Sequence, residues 1–173
     1  MDGIAVNVVM LLLKGIPEGL LTAFALHIFT RTRIDFKKYL FLSFVYIAAT
    51  YLIRLLPITL GVNTVLTLLV LIIFFQFTYK YQLSKVVRSV ISAILIVVII
   101  AISEVLNMLI LTILFGTTKA EALFNSSNGL EQSISTFPST FFTGLLIFIG
   151  YLVIRRLDKR KIVNGEVSKE TGL

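Results

Sequence analysis

The sequence predicts an all-α integral membrane protein, a bundle of about five transmembrane helices, and three observations predict it. Hydrophobic residues make up 57% of the 173-residue chain, mean hydropathy is +0.98, and only 14% of residues are charged, too few to coat a soluble domain of this size. The apolar residues come in long continuous runs, not in the alternation that barrel strands require. The lysines and arginines fall in short clusters between those runs. That is the pattern of membrane topology and headgroup attraction, so the net charge of +7 does not point to nucleic acid.

The first apolar run lies within residues 4–30 and is interrupted at Gly15 to Pro17. Pro17 suits a first helical turn, where a missing N–H costs nothing, and Gly15 suits a break just before it. A membrane helix is therefore expected to start near Pro17, with an apolar interfacial helix at 4–13 on the outer surface. One kinked, tilted helix over 4–30 is the alternative. The second span runs from about Tyr39 to Leu56 and the third from about Asn63 to Tyr79. The fourth, 86–116, exceeds the ~20 residues that cross a bilayer and must tilt, protrude or break. The fifth covers 139–154. Residues 1–156 thus form one transmembrane domain, and 157–173 a basic, polar cytoplasmic tail expected to be disordered. The N-terminus lacks a charged leader with a small-residue cleavage site and is read as part of the mature chain.

Loop 31–38, the segment 80–88 and the residues from Arg155 onward hold thirteen lysines and arginines, against three on the other side, Lys14, Arg54 and Lys119. Basic residues stay in the cytoplasm, which places the N-terminus outside and the C-terminus inside. The chain is read as multi-pass in a bacterial plasma membrane.

With that topology, Glu18 opens helix 1 from the outside, Arg54 lies near the outer end of helix 2, and Glu104 lies ~27 Å along helix 4 from its cytoplasmic start. Three intramembrane charges then share the outer leaflet. An unpaired charge at mid-membrane costs on the order of 3 kcal/mol, and an arginine between two carboxylates offsets that cost. Asn107 shares the face of Glu104, Thr22 that of Glu18, and Thr50 and Tyr51 that of Arg54, while the outer turn adds Asn63 and Thr64. The candidate site is accordingly Glu18, Arg54, Glu104, Asn107, Asn63 and Thr64. It is either an interhelical lock or a ligand pocket opening outward; Glu18 also fits as a first-turn acid and Arg54 as a snorkelling one.

His27 reads as an interfacial histidine, and Tyr39, Tyr79, Tyr81 and Tyr151 as interface anchors. The proline inside GIPEG argues against helix packing through its two glycines. Asn125 heads a formal glycosylation sequon. With no cysteine and one histidine, the chain lacks thiol chemistry and a histidine metal cluster, and nothing supplies a nucleophile with its base. No enzyme, cofactor or metal is expected.

The segments IPEGLL, YLIRLLPITLGVNT and ISEVLN resemble the membrane-embedded input regions of GHKL-type sensor histidine kinases of Gram-positive bacteria, over roughly residues 10–156. The accessory-gene-regulator sensor kinases have a similar organisation. The family often has a histidine where this chain has Asn63. No phosphoacceptor histidine or nucleotide-binding segment follows the last span, so the resemblance implies an input module without kinase activity. It would detect a ligand or membrane state through the outer polar cluster and signal through a cytoplasmic or membrane partner, as a monomer or a homodimer. The alternative is the substrate-binding membrane subunit of an energy-coupling importer, although such subunits usually have six helices.

Overall fold

The structure, a computed structural model, describes residues 11–54, 60–80, 83–124, 126 and 129–170. These are helical almost throughout, with no strand among them. A π-helical turn, Leu11–Gly15, runs directly into helix α1, Ile16–Thr30. Helices α2 (Phe36–Arg54), α3 (Leu60–Tyr79), α4 (Leu83–Phe115), α5 (Thr117–Phe124) and α6 (Gly129–Glu170) follow.

The break expected at Gly15 to Pro17 is absent. Pro17 does occupy the first turn of α1, but Gly15 is right-handed helical at φ −61° and ψ −45°. A π turn takes in one extra residue, so the chain passes the proline without leaving the helix. Residues 4–10 of the expected interfacial helix lie outside the described residues. At its other end α1 closes with a left-handed Arg31, φ 55° and ψ 37°. The Arg31 N–H donates to the Ile28 carbonyl at 3.0 Å and the Thr32 N–H to the His27 carbonyl at 2.9 Å, which is the Schellman pattern. An arginine where glycine is the default costs about 1–2 kcal/mol of backbone strain. Asp35 then caps α2, its carboxylate accepting from the Lys37 N–H at 3.1 Å.

Among the described residues, four helical stretches are long and apolar enough to cross a membrane: Leu11–Thr30, Phe36–Ile53, Val86–Phe115 and Leu130–Lys159. A fifth apolar stretch, Val65–Tyr79, belongs to the 20-residue α3. Half of the α1 span is buried, against 17% of the α2 span, which makes α1 the central helix of the bundle. It packs against α2, α4 and α6.

Gly19 is buried on α1, and a methyl group there would run into Ile47 Cγ1 of α2. Of the two glycines of GIPEG, Gly19 is the one that admits a neighbour, since the proline stays within the helix. On α6, Gly144 faces Leu21 and Gly150 faces Phe29, so α1 and α6 run parallel.

The apolar core joins Leu26, Phe29, Leu42, Leu71, Phe75, Ile96 and Ile147. Large apolar side chains such as Phe44 (70% exposed), Ile113 (73%) and Phe77 (77%) point outward, as lipid contact requires. Lipid tails are as apolar as these side chains, so close packing and interhelical polar bonds must hold the bundle together.

Two elements differ from expectation. The segment after Gly116 contains the short helix α5, tied to α6 by Gln132 Nε2 donating to the Phe124 carbonyl (3.2 Å) and Ser135 Oγ to the Leu123 carbonyl (3.1 Å). The fifth span extends in both directions into the 42-residue α6, with Pro138 inside it. The tail expected to be disordered instead continues as helix to Glu170, through the domain boundary expected at 156–157.

Candidate functional site

The basic residues 31–38, Lys80 and Arg155 to Lys159 lie at one end of the bundle, and Lys14 and Glu104 towards the other. On that far side α1, α4 and α6 enclose a polar seam. It begins with an ion pair between Lys14 Nζ and Glu104 Oε1 at 3.6 Å. The Lys14 side chain is 10% exposed and that of Glu104 44%, so the cation is the more deeply held partner. Glu104 thus finds a cation on the π turn ahead of α1.

Asn107, fully buried one turn along α4, donates from Nδ2 to the Ser135 carbonyl at 2.9 Å. Ser135 follows Ile134, whose carbonyl loses its N–H donor to Pro138. An interhelical side chain thus serves a carbonyl in the stretch of α6 that the proline weakens.

Glu18 and Thr22 follow Lys14 on α1 at four-residue spacing, and Thr22 is fully buried. Since Leu21 meets Gly144, the helical rise places Glu18 close to the level of Thr140, one turn earlier on α6. The buried hydroxyls of α6 mostly bond back to their own helix: Thr136 to the Gln132 carbonyl (2.7 Å), Ser139 to Thr136 (2.7 Å) and Thr143 to Ser139 (2.9 Å). That removes most of their cost in an apolar setting.

Four other buried atoms on the same three helices have no partner among the described residues: Glu18 Oε2, Thr22 Oγ1, Asn107 Oδ1 and Thr140 Oγ1. Each such atom costs about 1–3 kcal/mol if left bare. Two of the four, on Glu18 and Asn107, accept only, when Glu18 is ionised. N–H or O–H donors would satisfy both of these acceptors.

Of the residues the sequence singled out, Glu18, Glu104 and Asn107 line this seam. Arg54 ends α2, and Asn63 and Thr64 lie in the opening turns of α3; the placement of their side chains falls outside the described residues. Asn125, too, lies outside them. Sequence reasoning missed Lys14, Thr140 and the α6 hydroxyl row. The spacing Ser133, Thr136, Thr140, Thr143 was a helical-face signal that could have found the row.

His27, expected at the interface, is enclosed by protein near the basic end of α1, at 1% exposure. Its ring packs edge-on against Tyr39, Phe75 and Tyr79. Nδ1 lies 2.7 Å from the Ala23 carbonyl, which can only accept, so Nδ1 carries the proton. In the neutral ring Nε2 then accepts from the Tyr79 hydroxyl at 2.9 Å. Tyr39 donates inward as well, to the Leu20 carbonyl at 3.1 Å. Tyr39 and Tyr79 thus fasten helices together where anchors were expected; Tyr81 lies outside the described residues.

No family model, characterised protein or solved structure matches this chain.

Proposed function

We propose that the chain is a signal-input module of a bacterial plasma membrane, crossing it five times with the N-terminus outside. The polar seam between α1, α4 and α6 takes up a small donor-rich molecule from the outer side, and α6 carries the consequence to the cytoplasm. The observation that carries this reading is α6 itself. One helix of 42 residues, ~63 Å at the α-helical rise, holds the Ser/Thr face of the seam near one end and extends past the basic cluster at the other. Pro138 lies within the seam, where a bound guest and the Asn107 bond act on the same weakened turn. The resemblance to GHKL-type input regions points the same way and implies a histidine kinase as partner.

An importer subunit would use the seam as its substrate site, and the cytoplasmic partner separates the two. A C-terminally tagged chain, purified from native membranes in mild detergent, is expected to bring down a histidine kinase or its response regulator. Co-purification of an ABC-type ATPase with a coupling membrane subunit would replace this reading with the importer.

A further inference from the structure

At the basic end, away from the seam, a cavity of about 360 Å³ opens between the end of α1, the 31–35 loop and α6. Ile28, Ile34, Tyr151 and Ile154 give it apolar walls, while Arg31, Arg155, Asp158 and Lys159 give it a charged rim. Arg31 Nη2 spans the rim to Asp158 Oδ1 at 2.8 Å. His27 also borders the cavity, but both of its ring nitrogens are engaged, which leaves recognition to the cations.

Three features of this rim point to an anion. It holds three cations and one carboxylate, and the carboxylate is already paired. Arg155 and Lys159 are one helical turn apart on the same edge, a like-charge arrangement that destabilises a helix unless something negative sits between them. Arg31 reaches the rim from a left-handed backbone conformation that any residue but glycine adopts at a cost, and glycine would close the helix equally well. The setting is equally specific. Ile34 and Tyr151 are exposed while Ile28 and Ile154 lean on the core, and the charges stand at the end of both spans, where headgroups lie whichever leaflet this is.

We propose that this cavity binds a phosphate group, and that its source is the headgroup of an anionic phospholipid. Arg155 and Lys159 meet the phosphate together with Arg31, which Asp158 holds in place, and the isoleucines and Tyr151 receive the glycerol and first methylenes. The site serves neither the seam nor its guest, so its failure would leave the proposed function standing.

The test is native mass spectrometry of the full chain released from bilayers of phosphatidylglycerol and phosphatidylcholine. The Arg155→Gln/Lys159→Gln variant is expected to retain on the order of tenfold less phosphatidylglycerol than the native chain. Arg33→Gln/Lys37→Gln removes the same charge from exposed positions that do not border the cavity, and should retain the native amount. Arg31→Gly, which relieves the backbone, should keep the fold and lose retention. Equal losses in both charge pairs would reduce the effect to general surface charge and overturn the proposal, as would no loss in either. In phosphatidylcholine alone, stabilisation by inorganic phosphate that the Arg155/Lys159 variant abolishes, without any preference for phosphatidylglycerol in mixed bilayers, would reassign the cavity to a soluble phosphate and overturn the lipid source.

Discussion

Asn107 shows how much one amide does in an apolar bundle. Its Nδ2 ties α4 to the carbonyl of Ser135, and removing it breaks that interhelical bond. Asn107→Ala should cost about 1 kcal/mol, as interhelical polar bonds in membranes do, and lower the melting temperature in detergent. Thr78→Ala, whose hydroxyl only bonds back to Phe74, should leave it in place. The Lys14–Glu104 pair predicts an asymmetry. Lys14→Met leaves a carboxylate that is 44% exposed, whereas Glu104→Gln strands an ammonium that is 10% exposed and enclosed by protein. Glu104→Gln should therefore be the more destabilising, and a double-mutant cycle should give a coupling of about 1 kcal/mol or less. Equal losses would show that burial does not set the order. Glu104 was legible because a carboxylate in an apolar run needs a partner; Lys14 was not, because Gly15 and Pro17 read as a helix end that set it apart. His27 was illegible alone, since only the fold brings Tyr39 and Tyr79 from other helices to its level.

The helices themselves were legible from their apolar runs, but their ends were not. The fifth span was expected to begin at 139, yet the helix runs through Pro138, with Asn107 and the hydroxyls around it bonding to the same stretch. Helix α5, TTKAEALF, escaped notice because its charges put it outside any membrane run. The break expected at Gly15 to Pro17 was misjudged because proline and glycine were read as a helix end. The contact of Gly19 with Ile47 now gives a prediction about how α1 meets α2. Gly19→Ala should destabilise the bundle by about 1–3 kcal/mol, the usual range for overpacking. Adding Ile47→Ala should recover part of that loss in thermal unfolding. If the second substitution only adds to the damage, the two helices do not meet through this pair.

For the molecule as a whole, the membrane class follows from composition, while sidedness rests on the distribution of charge. The chain has no cysteine, so a single introduced one reports its own side. A membrane-impermeant maleimide on intact cells should label Lys119→Cys, and should reach Asp35→Cys only after permeabilisation. The reverse result would invert the topology and put the seam on the cytoplasmic side. The polar seam also bears on how the protein is made. The first half of α6, with Gln132, Ser133, Ser135, Thr136, Ser139 and Thr140, is a poor solute for lipid until α1 and α4 cover it. Because α6 follows the other helices in the chain, it leaves the ribosome when its shelter has already been inserted. Biogenesis therefore has a built-in order: the earlier helices seat themselves by hydrophobicity, and the last is received by them. A chain whose α1 fails to insert would leave α6 stranded at the translocon, exposed to membrane quality control.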